Sequence, residues 1–143
     1  MNHKRSVLVV DDCEAVRRAL TSLLTEEGYQ VRAAEDGEQG FRALCQSAVD
    51  LVLSDVVMPC VSGVELIGLI RRDPFLASLP IVAMSTYGSR PLVAAKQAGA
   101  NAVIEKPFRE HELLPLIARL IDAAGQAESH ARTPLRARSS AIG

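Results

Sequence analysis

Leu51-Val52-Leu53-Ser54-Asp55 is a short, largely apolar run that ends in a carboxylate, and it limits the possible folds more than any other stretch. Its brevity and its polar bounds read as a β-strand buried on both faces. Such strands belong to parallel sheets covered by helices, and open sheets of that kind carry ligand sites at their C-terminal strand ends. The pattern recurs three times. Val7-Leu8-Val9-Val10 ends in Asp11-Asp12, Pro80-Ile81-Val82-Ala83-Met84 ends in Ser85, and Ala102-Val103-Ile104-Glu105 ends in Lys106. One sheet edge thereby collects three carboxylates, a hydroxyl and an ammonium.

Segments of helical period fill the gaps. After Asp12, the residues Val16, Ala19, Leu20, Leu23 and Leu24 form one stripe, which stops at Gly28, a suitable residue just past a helix end. Gln30-Val31-Arg32-Ala33-Ala34 alternates polar and apolar, as an edge strand does. Asp36 caps a second helix, with Gln39 as its capping-box partner and a stripe of Phe41, Leu44, Cys45 and Ala48. Ser62-Gly63-Val64-Glu65 is a capping box for a third helix, which buries Leu66, Ile67, Leu69 and Ile70 and ends at Asp73-Pro74. Ser89-Arg90-Pro91 opens a fourth, with Pro in the first turn where its missing N–H costs little, and Gly99 closes it. The last helix carries Leu113, Leu114, Ile117, Leu120 and Ile121; Pro115 requires that it either start near Glu112 or bend.

Five strands alternating with five helices predict an α/β fold, a doubly wound five-stranded parallel sheet of the flavodoxin-like (βα)5 type. The second strand adds nothing to the polar edge, which suits a strand order of 2-1-3-4-5 with the cleft beside strand one. Residues 1–124 make one domain. From 125 to 143 the pattern dissolves into Ala, Ser, Arg, His and Thr with Pro134, which reads as a flexible, mildly basic tail.

Composition excludes several classes. Aromatics make up 3% with no Trp, so the core is built from Val, Leu, Ile and Ala. A net charge of -1 argues against direct nucleic-acid binding, which needs clustered Lys and Arg. No stretch approaches the roughly 20 apolar residues of a membrane span, and the start of the chain is no signal peptide, so a cytoplasmic location is expected. Cys13, Cys45 and Cys60 are odd in number and widely spaced, and read as reduced thiols, small core or loop residues. Cys13 and Cys60 flank the polar edge, but no resolving partner for an oxidation sensor is apparent. His3, His111 and His130 are isolated surface residues.

Three converging carboxylates repel one another, and a divalent cation removes that cost. Oxygen donors without His or Cys select a hard ion, so Asp11, Asp12 and Asp55 read as a Mg2+ site. Lys106 and Ser85 opposite a metal-bound carboxylate suit an anion with several oxygens, and a phosphoryl group fits. Asp55, in the middle, is then the nucleophile that becomes an acyl phosphate.

Taken together, Val9-Val10-Asp11-Asp12, Leu53-Ser54-Asp55-Val56-Val57-Met58-Pro59, Gly63-Val64-Glu65-Leu66, Ala83-Met84-Ser85 and Gly99-Ala100 through Lys106-Pro107-Phe108 resemble the receiver domain of two-component response regulators. The resemblance covers residues 6 to about 122. It implies that Asp55 is the phosphoacceptor, charged by a sensor histidine kinase or a histidine phosphotransfer protein with Mg2+ bound. Asp12 and Asp55 would ligate the metal directly, Asp11 through water, and the Val57 backbone carbonyl would complete the protein ligands. Ser85 and Lys106 would contact the phosphoryl oxygens, and the Lys106-Pro107 peptide would be cis. The output would be altered binding to a downstream protein in trans, and the chain would catalyse only its own phosphotransfer and dephosphorylation. Homodimerisation through the last two helices stays open.

Two positions bear on how such a switch works. The family carries an aromatic ring three residues before the lysine, and here that residue is Val103, which cannot make the ring's inward swing. Tyr87, two residues after Ser85, would slow dephosphorylation if its ring screened the attacking water. The alternative reading is a pseudo-receiver, an interaction module that keeps the fold without phosphorylation control. A flavin mononucleotide carrier on the same architecture is disfavoured because Asp11-Asp12-Cys13-Glu14 would repel the phosphate. An aspartyl phosphatase is disfavoured by Val57, where a second acid would stand.

Overall fold

The computed structural model describes residues 4–58, 60–85 and 89–142. The strands are β1 (Ser6–Val10), β2 (Gln30–Ala34), β3 (Leu51–Asp55), β4 (Ile81–Ser85) and β5 (Ala102–Glu105). The helices are α1 (Glu14–Glu26), α2 (Gly37–Gln46), α3 (Gly63–Arg72), α4 (Ser89–Ala98) and α5 (Glu110–Ile142). All strand pairs are parallel, in the order β2-β1-β3-β4-β5, as the sequence predicts.

Every residue of β3 and β4 is buried, while β2 and β5 at the edges are partly exposed. Successive strand side chains point to opposite faces, and two cores result. On one face Leu8, Val10, Val52, Ile81 and Ala83 pack against Leu44 of α2, Leu66, Ile67 and Ile70 of α3, and Leu92 and Ala95 of α4. On the other, Val7, Val9, Leu51, Leu53, Val82 and Met84 meet Leu20 and Leu24 of α1 and Leu113, Ile117 and Ile121 of α5. Full burial of each such Val, Leu or Ile contributes about 1.5–3 kcal/mol.

Helix ends follow the local signals closely. Ser62 Oγ accepts from Glu65 N, and Glu65 Oε1 accepts from Ser62 N, each at 3.2 Å, closing the expected capping box. Asp36 Oδ1 accepts from Gln39 N at 2.8 Å, but Gln39 Nε2 donates to Glu35 Oε1 instead of bringing its own carbonyl back to the cap. Gly28 and Gly99 have φ of 97° and 123°, the left-handed region in which glycine avoids the Cβ clash. The N–H after each glycine donates to the carbonyl five residues back, Tyr29 to Leu24 and Ala100 to Ala95.

Some open points are decided and some expectations change. Helix α5 begins at Glu110, with Arg109 N donating to Glu112 Oε1, so it starts before Pro115 and runs through it. It is helical to Ile142, past the point where the apolar pattern fades; Ala, Gln, Glu and Arg keep high helix propensity without an apolar stripe. Cys13 and Cys60 are exposed loop residues, one of the two places expected for them, whereas Cys45 is exposed on the solvent side of α2 and does not belong to its apolar stripe. Ala19 and Ala48 are exposed as well.

Candidate functional site

Strand register decides which polar residues meet. Val10 pairs with Ser54, so Asp11 comes level with Asp55, and Asp55 pairs with Met84, one residue before Ser85. Ser85 pairs with Glu105, one residue before Lys106. The expected strand-end residues therefore converge on one edge of the sheet.

Asp11 is fully buried. Its Oδ2 accepts from Lys106 Nζ at 2.7 Å, and its Oδ1 accepts from Cys13 N at 2.9 Å. Asp55 is 5% exposed, and its Oδ1 lies 3.5 Å from the same ammonium as an ion pair. That oxygen is buried and accepts no hydrogen bond among the described residues. Burial pushes the Asp55 carboxyl up to about 6, with further upward pressure from Asp11 and Asp12 and an opposing pull from Lys106. The Lys106 ammonium sits above its ordinary range; burial alone would lower it, but the hydrogen bond to Asp11 and the charges of Asp55 and Asp11 outweigh that. Asp12 is exposed, and Asp11, Asp12 and Asp55 each offer an oxygen within 4.8 Å of the others. Such an all-oxygen cluster could hold a hard metal ion.

The loop after β3 is tightly drawn in. Val56 N donates to Met84 O at 3.0 Å, and Gly63 N donates to Val56 O at 2.8 Å. A Cβ on Gly63 would stand 2.2 Å from the Asp55 carbonyl oxygen and 2.7 Å from Val56 Cα, so only glycine lets α3 start this close to the central acid. Val57, two residues past Asp55, has an exposed side chain. Ser85 is fully buried at the end of β4. The Lys106-Pro107 peptide is cis. Val103 is 37% exposed on β5, opposite Ala83. Tyr87, Pro59 and His3 lie outside the described residues, and His111 is exposed.

One residue at the site escaped the sequence reading. Arg17, a turn into α1, donates from Nη1 to the Asp11 carbonyl at 2.7 Å. Its only trace in the sequence is a cation shortly after the acidic pair, a spacing too common to stand out.

The family model for the response regulator receiver domain matches residues 7–118. The chain belongs to that family. It is 40% identical over 116 residues to the response regulator protein FleR of Pseudomonas aeruginosa, a match covering 79% of this chain and 24% of FleR, so the chain spans about a quarter of that relative. Its identity to the "Probable chemotaxis protein CheY" of Rhizobium etli is 37% over 107 residues, covering 73% of this chain and 83% of that protein. Among solved structures, the chemotaxis protein CheY4 of Vibrio cholerae superposes with a TM-score of 0.77 at 29% identity, covering 82% of this chain and 99% of that one. The receiver domain is thus a regulatory domain of two-component systems rather than a conventional enzyme. Among the described residues no helix is long and apolar enough to cross a membrane.

Proposed function

We propose that the chain is a phosphorylation-controlled switch with Asp55 as phosphoacceptor. The observation that carries this reading is the buried Asp55 Oδ1, which accepts no hydrogen bond among the described residues and lies 3.5 Å from the Lys106 ammonium within a cluster of acids. A buried carboxylate oxygen left without a donor is costly, and it is the oxygen a nucleophile must keep free.

Asp11, Asp12, Asp55 and the Val57 backbone carbonyl would hold Mg2+, whose oxygen-only donor preference matches this set. The metal's chemistry here is to neutralise charge on the phosphoryl oxygens and on the attacking carboxylate. The carboxylate of Asp55 attacks phosphorus, the P–N bond to a donor imidazole breaks, and the imidazole leaves with the bond's electron pair and takes up a proton. The donor is a sensor histidine kinase or a histidine phosphotransfer protein. Lys106 neutralises one phosphoryl oxygen, and Ser85 donates its hydroxyl hydrogen to another. Phosphorylation then alters binding to a downstream protein target. The same reading puts the protein in the cytoplasm with its phosphoryl donor, and a homodimer through α4 and α5 is compatible with it.

Incubation with Mg2+ and acetyl phosphate or phosphoramidate should add one phosphoryl group, acid-stable and base-labile, at Asp55 by mass spectrometry. Asp55→Asn should abolish it. A wild-type protein that stays unmodified would refute the reading.

Val103 supports a second reading, a pseudo-receiver whose binding is independent of phosphorylation. A half-exposed β-branched residue offers no ring to swing inward. Identical amide spectra for α4, β5 and α5 with and without beryllofluoride would favour it.

A further inference from the structure

Both backbone polar groups of Asp11 are held in place. Asp11 N donates to Ala34 O, the last residue of β2, at 3.1 Å. The Asp11 carbonyl, on the other side, accepts from Arg17 Nη1 at 2.7 Å. The Arg17 side chain is only 17% exposed, and its Nη2 lies 3.9 Å from Glu35 Oε2 on the loop after β2. Glu35 is itself steadied, accepting from Gln39 Nε2 at 3.1 Å. One guanidinium therefore ties the loop that carries the acids to the loop that leads into α2.

The two acids differ in what else holds them. Asp11 has Lys106 and Cys13 N on its carboxylate. The Asp12 carboxylate has no hydrogen bond or ion pair among the described residues, so its backbone is the part of the residue that the structure holds. The Asp11–Asp12 peptide plane sets the direction in which the Asp12 Cα–Cβ bond leaves the backbone, and among the described residues Arg17 is the side chain that bonds to that plane.

We propose that Arg17 is a positioning residue for the metal site, aiming Asp12 toward Asp55 through the Asp11 carbonyl. The proposal rests on the reading that these acids hold Mg2+. Its effect has a sign that separates it from simple electrostatics. A guanidinium near a cation site repels the cation, so removing it would tighten Mg2+ binding if only its field mattered. Removing a positioning bond does the reverse. Groups that orient metal ligands from outside are commonly worth 10–100-fold in affinity; relief of the charge repulsion offsets part of this, leaving a weakening of about tenfold.

The test is calorimetric titration of Mg2+ into the full chain, in the wild type, Arg17→Met, Arg17→Lys and Asp12→Asn, at a temperature where each is folded by circular dichroism. The expected result is a Kd about tenfold weaker in Arg17→Met, and close to that of Asp12→Asn in direction. A merely structural arginine would lower the melting temperature and leave the Kd of the folded protein unchanged. That outcome, or tighter binding, overturns the positioning role alone. If Arg17→Met does not fold, Arg17→Lys carries the test: it keeps the charge but replaces a fork with one ammonium. A Kd weaker than wild type is expected there, and a wild-type Kd overturns the proposal. Absence of saturable binding in the wild type overturns the metal-site reading and this proposal with it.

Discussion

Replacing Asp55 with Asn should stabilise the metal-free protein at neutral pH, even though it removes the residue at the centre of the site. Burial first, then repulsion from Asp11 and Asp12, holds the Asp55 carboxyl at about 6 against an ordinary 3.8, while Lys106 pulls the other way. At roughly 1.4 kcal/mol per tenfold change in proton affinity, the difference corresponds to ~3 kcal/mol. The folded protein binds this proton more tightly than the unfolded chain does. Its contribution is therefore fully present below 3.8 and is lost as pH rises through about 6. Asparagine has nearly the same shape, stays neutral, and avoids the loss. The Asp55 side chain is 7% exposed, so solvent screening reduces the effect little, and Lys106 keeps its 2.7 Å partner Asp11 in the variant.

Urea unfolding followed by far-ultraviolet circular dichroism across pH, with EDTA present, measures this directly. The stability gap between Asp55→Asn and wild type should be near zero below about pH 4, open through the window between the two values, and approach ~3 kcal/mol above about pH 7. Millimolar Mg2+ should shrink the gap by neutralising the wild-type acids. A variant no more stable than wild type at neutral pH, or a gap that does not change with pH, would show that burial does not penalise the Asp55 charge.

Gly63→Ala should destabilise by about 2–4 kcal/mol, since its methyl group drives α3 off the Asp55 carbonyl and breaks the Gly63–Val56 hydrogen bond; a urea midpoint within error of wild type would contradict the close approach. Lys106→Met leaves the fully buried Asp11 carboxylate without its ammonium, at a cost of about 3–5 kcal/mol near neutral pH. The same melts, repeated at acidic pH where the carboxylates are protonated, should show a smaller loss. All three thiols should react promptly with an aromatic disulfide reagent in the folded protein, because Cys13, Cys45 and Cys60 are exposed. A thiol that reacts only in denaturant would locate the error.

Much of the fold was legible because its signals are local. The strand at 51–55 announces itself by five residues, and the Ser62–Glu65 box by a spacing of three. The helix ends at Gly28 and Gly99 need only one residue each. Signals went astray where local chemistry admits two answers. Gln39 could close a box or bond Glu35, and the neighbouring loop favoured the second.

The sequence by itself determined the alternation of strands and helices, and with it the rule that Asp11, Asp55, Ser85 and Lys106 stand at strand ends on one edge. Tertiary structure alone decided how those groups share their charges. Lys106 meets Asp11 at 2.7 Å across 95 residues of chain and stands farther, at 3.5 Å, from Asp55. Periodicity and capping are encoded within a few residues of each other, but a distance between distant side chains depends on register, on close approaches such as that at Gly63, and on clamps such as Arg17. Those exist only once the sheet has been assembled.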